Sequence, residues 1–272
     1  MDGKPAAPVD RRVTRGAFLG SAAAALAADA YSAGEQAWRN RREAALKAPG
    51  GWLTVTGLHW LEEGGAPVEP SPGYSFELRG GRVLLSREGK ETEVRTDKNP
   101  PPESILTGTL AMTAIVRGPR TGIRVRDSQS RLLREFSGLL WYSVDRRWRV
   151  EARWIRHPSP QKREIDSVGG IRQQLTSLGV AEFRLDGRDL RLDALEDPDG
   201  LFFVFKDETA RTDTYPGGRF LYAPPPSGGR VTLDFNRAEN PPCAFTPYAT
   251  CPLAPRGNWL PAAVPAGEKR YH

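Results

Sequence analysis

The chain has 272 residues, of which 39% are hydrophobic, so it is long enough to bury a large core within one domain. Its formal net charge of +6 is spread along the chain with acidic residues interleaved, whereas nucleic-acid binders usually carry a denser basic block, so nucleic acid is not an expected partner. No apolar run reaches the roughly 18 residues that a membrane-spanning helix requires, so no integral membrane span is expected.

The first 30 residues have the pattern of an export signal. The stretch from Thr14 to Leu19 resembles a twin-arginine motif with Gly16 in place of the second arginine, and an Ala-rich run follows it. Ala28-Asp29-Ala30 then has the small-residue spacing of a signal-peptide cleavage site. This pattern predicts a signal-peptide-like segment (1–30), export to the periplasm or the cell exterior, and one β-rich domain (31–272); a cytoplasmic protein is the alternative.

A helix is predicted over residues 32–48, because Trp38, Ala45 and Leu46 recur at helical spacing and Pro49 follows directly. The apolar, β-branched stretch 52–61 predicts a strand or a packed extended segment.

The rest of the chain is predicted to be rich in strands. Gly-Gly, Gly-Pro and Asp-Gly turns indicate three hairpins, at 76–85, 111–126 and 181–192. Further strands are predicted at 147–155, 201–205 and 231–235. About ten short strands without alternating helices predict a mainly β fold: an antiparallel sandwich-like or open-barrel domain with an N-terminal helix.

Both cysteines lie in a proline-rich segment near the C-terminus, at Cys243 and Cys251. In an exported protein a disulfide between them is expected, with reduced structural thiols or a thiol nucleophile at Cys243 as alternatives. A metal site is not predicted, because the three histidines, His59, His157 and His272, are far apart in the sequence.

Five polar residues are candidates for ligand binding: Arg219, Asp234, Asn236, Arg237 and Asn240. Arg219 follows two glycines and could clamp an anion, or it could pair with a nearby acid in a turn. Alternation places Asp234 and Asn236 on one face at the end of a strand. These side chains could line a pocket rim or satisfy the irregular backbone of residues 236–252.

The candidate catalytic residues are Asp207, Asp234, Cys243 and His59. Asp207 follows an apolar strand, where an acid more often begins a turn, and a lone histidine between Leu58 and Trp60 more often packs than catalyses. The sequence contains no nucleophile elbow, phosphate-binding loop, dinucleotide fingerprint or zinc-protease motif. No cofactor is therefore predicted.

Several motifs resemble the bacterial domain-of-unknown-function family numbered sixteen eighty-four. They span about residues 35–270 and include 51–61, 122–127, 207–209, 214–221, 233–253 and 266–269. Glu239 stands where that family often has an aromatic residue, and Ala254 where a proline is common. The resemblance implies no established activity.

Three functions remain open at this stage. The first is a protein that binds a small molecule or anionic ligand near the C-terminal motif. The second is a hydrolase-type enzyme that uses Asp207, Asp234 or Cys243, and the third is a structural or interaction module without a ligand. The oligomeric state does not follow from the sequence.

Overall fold

The computed structural model of the protein describes residues 16–99 and 101–271, with side chains from residue 29 onward. Within these ranges the chain forms two α-helices and fourteen strands. The helices are α1 (Gly16–Lys47) and α2 (Arg131–Glu135). The strands are β1 (Val55–Leu61), β2 (Val68–Ser71), β3 (Tyr74–Arg79), β4 (Arg82–Arg87), β5 (Lys90–Val94), β6 (Ser104–Thr107), β7 (Leu110–Arg117), β8 (Arg120–Asp127), β9 (Arg149–Ser167), β10 (Ile171–Leu185), β11 (Arg188–Asp197), β12 (Gly200–Phe205), β13 (Arg219–Ala223) and β14 (Arg230–Asp234).

The strands form three antiparallel sheets. The first has the order β1-β8-β7-β6, the second β2-β3-β4-β5, and the third, six-stranded sheet β13-β12-β11-β10-β9-β14. The three predicted hairpins are present as β3–β4, β7–β8 and β10–β11. The predicted mainly β fold with an N-terminal helix is therefore confirmed.

The two four-stranded sheets pack face to face around one apolar cluster. Phe76 and Val83 from one sheet meet Met112, Ile123 and Val125 from the other. On β8 the apolar residues Ile123 and Val125 alternate with Arg124, so the arginine lies on the opposite face of that strand. The outer face of the first sheet is therefore basic, and it lies toward the six-stranded sheet.

Both faces of the six-stranded sheet are covered. One face carries the largest apolar cluster, which includes Phe203, Phe205 and Leu221, and the C-terminal segment closes it with Leu260 and Val264. The other face carries a smaller cluster of Ile165, Leu195, Val204, Phe220 and the buried Cys251. The C-terminal segment after β14 contains short 3₁₀ turns and no strand, as its prolines require.

Several predicted boundaries were wrong. Helix α1 begins at Gly16 rather than at residue 32, because the Ala-rich stretch has high helix propensity and continues the same helix. Strand β9 runs to Ser167, well beyond the predicted end at 155. Residues 156–164 are polar at almost every position and show no alternation, yet residues 161–167 pair with β10. Backbone pairing with β10 extends the strand through these polar residues to Ile165 and Ser167, which are buried.

None of the helices in the described part of the chain combines the length and hydrophobicity that crossing a bilayer requires. The beginning of the predicted export signal, up to residue 15, and His272 lie outside the described residues.

Candidate functional site

Arg219 is almost fully enclosed, with 1% of its surface exposed. Its Nη2 contacts Asp207 Oδ1 at 3.1 Å and donates to Val264 O at 2.9 Å, and Nη1 donates to Ala266 O. Its guanidinium also lies 5.2 Å from the centre of the Phe205 ring. This geometry favours the structural alternative, in which Arg219 pairs with a nearby acid, because its charge is balanced inside the protein.

Asp207 has its two carboxylate oxygens engaged in the same network. Oδ1 faces Arg219, while Oδ2 accepts from Thr209 Oγ1 at 2.8 Å and from Val264 N at 2.7 Å. The carboxylate thereby caps the 3₁₀ turn Glu208–Arg211 and fixes the C-terminal segment to the end of β12. The glycine before Arg219 serves this junction: a Cβ on Gly218, whose φ is +101°, would lie 2.6 Å from Phe205 O.

Asp234 and Asn236 meet the N-terminal helix rather than a pocket rim. Tyr31 Oη donates to Asp234 at 2.8 Å, and Asn236 Nδ2 donates to Tyr31 Oη at 3.0 Å and to Asp145 O at 2.9 Å. Asn236 Oδ1 accepts from Asp145 N at 3.0 Å. Burial and the neighbouring Asp234 carboxylate raise the pKa of Tyr31, so its hydroxyl stays protonated as the donor.

Arg237 and Asn240 also hold helix α1. Arg237 forms a forked contact with Glu35, at 2.7 and 3.0 Å, and the Glu35 side chain is almost completely buried. Asn240 O accepts from Arg42 Nη2 at 2.9 Å, while Asn240 N donates to Glu268 Oε2 at 2.7 Å. The helix is thus attached mainly through polar side chains, and the predicted ligand-binding residues from 234 to 240 are its partners.

The cysteine side chains lie next to each other and are free thiols. Cys243 N donates to Cys251 Sγ at 3.2 Å. The pKa of the Cys243 thiol is lowered, mainly because the Cys251 side chain hydrogen-bonds to it, whereas burial raises the pKa of Cys251. Cys243 is partly exposed and is therefore the more reactive thiol of the pair.

The remaining catalytic candidate, His59, lies exposed on β1, where it pairs with Ile123 of β8. It is not brought together with Asp207 or the thiols by any contact found in the described chain. Among the described residues, no three or more His, Cys, Asp or Glu side chains form a group that could hold a metal ion.

A cavity of about 500 Å³ lies between the basic face of the first sheet and the six-stranded sheet. The C-terminal motif forms part of its wall through Glu239, Pro242 and Cys251. Its other polar and apolar lining residues come from widely separated parts of the chain: Arg42, Trp52, Arg117, Arg124, Gln173, Gln174, Leu175, Thr176, Leu195, Glu196, Phe202, Phe220, Tyr222, Thr250 and Pro252.

Arg124 is the unusual residue of this cavity. It is 4% exposed, yet its Nε and Nη2 have no hydrogen-bond partner and no carboxylate within the described residues forms an ion pair with it. Its guanidinium lies 5.0 Å from the centre of the Trp52 ring. Burial, followed by the like charges of Arg117 and Arg126, lowers the pKa of Arg124 to about 10. The group therefore remains a cation at neutral pH.

The two other arginines of the cavity already have acidic partners. Arg117 Nη1 contacts Asp97 Oδ2 at 2.6 Å. Arg42 Nε lies 3.3 Å from Glu239 and 2.9 Å from Glu268, so two carboxylates share one guanidinium. Burial and the neighbouring Glu268 raise the pKa of Glu239 to about 7, although Arg42 opposes the shift.

Sequence reasoning did not single out Arg124 or the cavity. The stretch 122–127 stands out in the sequence only as a family motif. Its alternating apolar and basic residues predict that the arginines lie on a solvated outer face of the strand. Sequence alternation separates the two faces of β8 but does not show that another sheet covers the second face. The one available signal in the sequence was the pair Arg124 and Arg126, two like charges on the same face of a strand with only Val125 between them.

The family model described as "Protein of unknown function (DUF1684)" matches residues 134–269, which is half of the chain. The protein belongs to the DUF1684 family. The matched span includes Arg219, both cysteines and Glu239, and it begins after the sheet that carries Arg124. The DUF1684 motif thus supplies one wall of the cavity, and residues before the matched span supply the other.

Among solved structures, an uncharacterized protein of Haloarcula marismortui determined by NMR in solution is 33% identical to this chain. The alignment covers 50% of this chain and 78% of that chain, with a TM-score of 0.42. A search of curated proteins finds no match.

We expect Arg219→Met to destabilise the protein by about 3–5 kcal/mol, because it leaves the buried Asp207 carboxylate without its cation. Urea unfolding followed by circular dichroism measures this free energy. Arg184→Met is the matched control, since the Arg184 side chain is 71% exposed, and it should change stability by less than about 0.5 kcal/mol. Equal effects of the two substitutions would contradict the structural role of Arg219.

We expect Glu239→Gln to reduce the loss of stability that the protein shows as pH rises. The pKa of Glu239 is raised from 4.5 to about 7, so between these pH values the folded protein keeps this carboxyl protonated while the unfolded protein does not. The stability that this proton contributes is therefore lost as pH rises through 7. Urea unfolding at pH 4 and pH 8 measures the free energy of unfolding of both proteins. Between these pH values the wild type should lose up to about 3 kcal/mol more of this free energy than the variant. Parallel pH profiles would refute the raised pKa.

Proposed function

We propose that this DUF1684 protein binds a small organic anion in the cavity beside the C-terminal motif, with Arg124 as the group that receives the anion. The observation that carries this proposal is the buried Arg124 guanidinium, which lines the cavity and lacks an acceptor for Nε and Nη2. A buried charge without a partner is costly, and proteins rarely retain one without a function. An anion that enters the cavity supplies the missing partner.

The chemistry of the two unpartnered donors supports a carboxylate or phosphate ligand. Nε and Nη2 are the adjacent donors on one edge of a guanidinium, and a carboxylate or phosphate accepts from such an edge with two parallel hydrogen bonds. The Trp52 ring contacts the same guanidinium and limits its movement. Because Arg124 is shielded from bulk water, each of these hydrogen bonds is stronger than it would be at the surface.

The enzymatic alternative has less support. The carboxylates of Asp207 and Asp234 are occupied by contacts that hold the fold together, so neither is free for a proton transfer to a ligand. Cys243, with its lowered pKa, is the one candidate whose chemistry remains open to a thiol mechanism.

We expect millimolar benzoate to raise the melting temperature of the wild type, and we expect Arg124→Gln to abolish this shift. A ligand that binds only the folded state stabilises it in proportion to the logarithm of its concentration, so differential scanning fluorimetry over a benzoate series reports the affinity. Without ligand, Arg124→Gln should be at least as stable as the wild type, because the substitution removes an unpaired buried charge.

The control is Arg120→Gln, which removes the same charge from an exposed position on the same strand. It should keep the wild-type response to benzoate. If Arg124→Gln and wild type respond equally, or if neither responds to benzoate, acetate or inorganic phosphate, the proposal is wrong.

We also propose that the protein is exported, cleaved after Ala30 and bridged between Cys243 and Cys251. Asp29 and Ala30 are exposed, whereas the Tyr31 side chain is the first of those described, from residue 29 onward, to hydrogen-bond to the rest of the domain. Cleavage after Ala30 would therefore keep every described contact of helix α1. The adjacent thiols support the bridge, which would form as each thiol gives up one hydrogen to an oxidising thiol–disulfide partner of the compartment.

Mass spectrometry of the protein expressed with its own N-terminus tests both statements. The exported protein should lack residues 1–30, and its cysteines should react with iodoacetamide only after reduction. Substituting Ala28→Leu and Ala30→Leu should leave the precursor uncleaved. An intact N-terminus in a protein recovered outside the cytoplasm would refute the cleavage site, and alkylation of both cysteines without reduction would refute the bridge.

A further inference from the structure

We infer that the anion bound beside Arg124 is a ring-bearing monocarboxylate, whose carboxylate pairs with Arg124 and whose apolar body lies against Trp52, Phe202 and Tyr222. This inference rests on the proposed function and specifies the class of ligand. Three observations carry it: the unequal burial of the lining residues, their aromatic contacts and the balance of charge inside the cavity.

The lining residues of the cavity differ widely in their exposure to solvent. Arg124 is 4% exposed, whereas Tyr222 is 46% exposed although both line the same cavity. A ligand that places its charge at Arg124 therefore extends toward Tyr222 and solvent. The volume of about 500 Å³ lies within the range of cavities that hold organic ligands, and it is far larger than an inorganic anion requires.

The aromatic residues form a continuous apolar surface in this direction. Phe202 stacks on Tyr222 with ring centres 4.9 Å apart, and it contacts the edge of Phe220 at 4.8 Å. Leu175 and Leu195 line the same cavity. Flat apolar ligands gain most from such a surface, because a ring both buries area and adopts the offset or edge-on geometries that aromatic side chains favour.

The charges of the cavity favour a single negative charge on the ligand. Arg42 and Arg117 are paired with Glu239 and Asp97, so Arg124 is the lining arginine without an acidic partner within the described residues. Glu196 and Glu239 line the same cavity. A second negative charge on the ligand would therefore meet carboxylates rather than a free cation, and this disfavours phosphate monoesters and polyphosphates.

The test is isothermal titration calorimetry of the wild-type protein with four probes. They are 1-naphthoate, acetate, 1-naphthamide and 1-naphthyl phosphate, which vary the ring, the charge and the anionic group separately. We expect 1-naphthoate to bind at least tenfold more tightly than each of the other three. Arg124→Gln should weaken 1-naphthoate at least tenfold, as the loss of a charged, two-bond contact predicts.

Tyr222→Ala and Tyr248→Ala form a matched pair for the aromatic surface. Both tyrosines are partly exposed, at 46% and 37%, so neither substitution should unfold the protein. Of the two, Tyr222 lines the cavity and Tyr248 does not. Tyr222→Ala should weaken 1-naphthoate about three- to tenfold. Tyr248→Ala should leave its affinity unchanged.

The outcomes separate this inference from the proposed function. If acetate or 1-naphthyl phosphate binds as tightly as 1-naphthoate, and Arg124→Gln removes that binding, the ligand class is wrong while the anion site stands. An unchanged affinity of 1-naphthoate in Tyr222→Ala also overturns the ligand class. If 1-naphthamide binds as tightly as 1-naphthoate, if Arg124→Gln has no effect, or if no probe binds, both the ligand class and the proposed function are wrong.

Discussion

A guanidinium enclosed in protein must find its acceptors within the chain, and Arg219 finds them at Asp207 and at the carbonyls of Val264 and Ala266. These groups come from the end of a central strand and from a C-terminal segment that has no regular structure of its own. This side chain, the Asp207 carboxylate that accepts from Val264 N, and backbone hydrogen bonds of residues 206 and 208 together hold the segment over the main core. Removing the arginine would leave both a carboxylate and several carbonyls without partners in a dry interior.

A second polar network follows from the first. With the C-terminal segment fixed, Glu268 is positioned next to Arg42, and the stretch from Asp234 to Asn240 presents its side chains to helix α1. The helix therefore docks through Tyr31, Glu35 and Arg42 rather than through a broad apolar stripe. Polar docking of this kind demands accurate geometry, because each buried group must meet a specific partner. The density of polar residues in the C-terminal motif serves this purpose.

The contrast between Arg219 and Arg124 supports the proposed anion site. Both are buried arginines on strands, but Arg219 has a carboxylate and several carbonyls around it, whereas Arg124 lies beside the Trp52 ring with Nε and Nη2 lacking acceptors. Arg219 leaves Nε without an acceptor, but its charge is paired with Asp207, whereas the cation of Arg124 has no ion-pair partner in the described part of the chain. The cavity, its aromatic residues and its carboxylates define which class of anion the proposed site would accept.

The sequence by itself determined the strand content, the three hairpins and the N-terminal helix, because alternation and Gly-Gly or Asp-Gly turns are local properties of the chain. It also singled out the polar residues of the C-terminal motif, as either ligand-binding groups or partners of the irregular backbone. Only the tertiary structure decided what those partners are: Arg219 and Asp234 could equally have faced a ligand, since their side-chain chemistry is the same in both settings. The cavity beside Arg124 could not be read from the sequence, because its walls come from segments far apart in the chain that folding alone brings together.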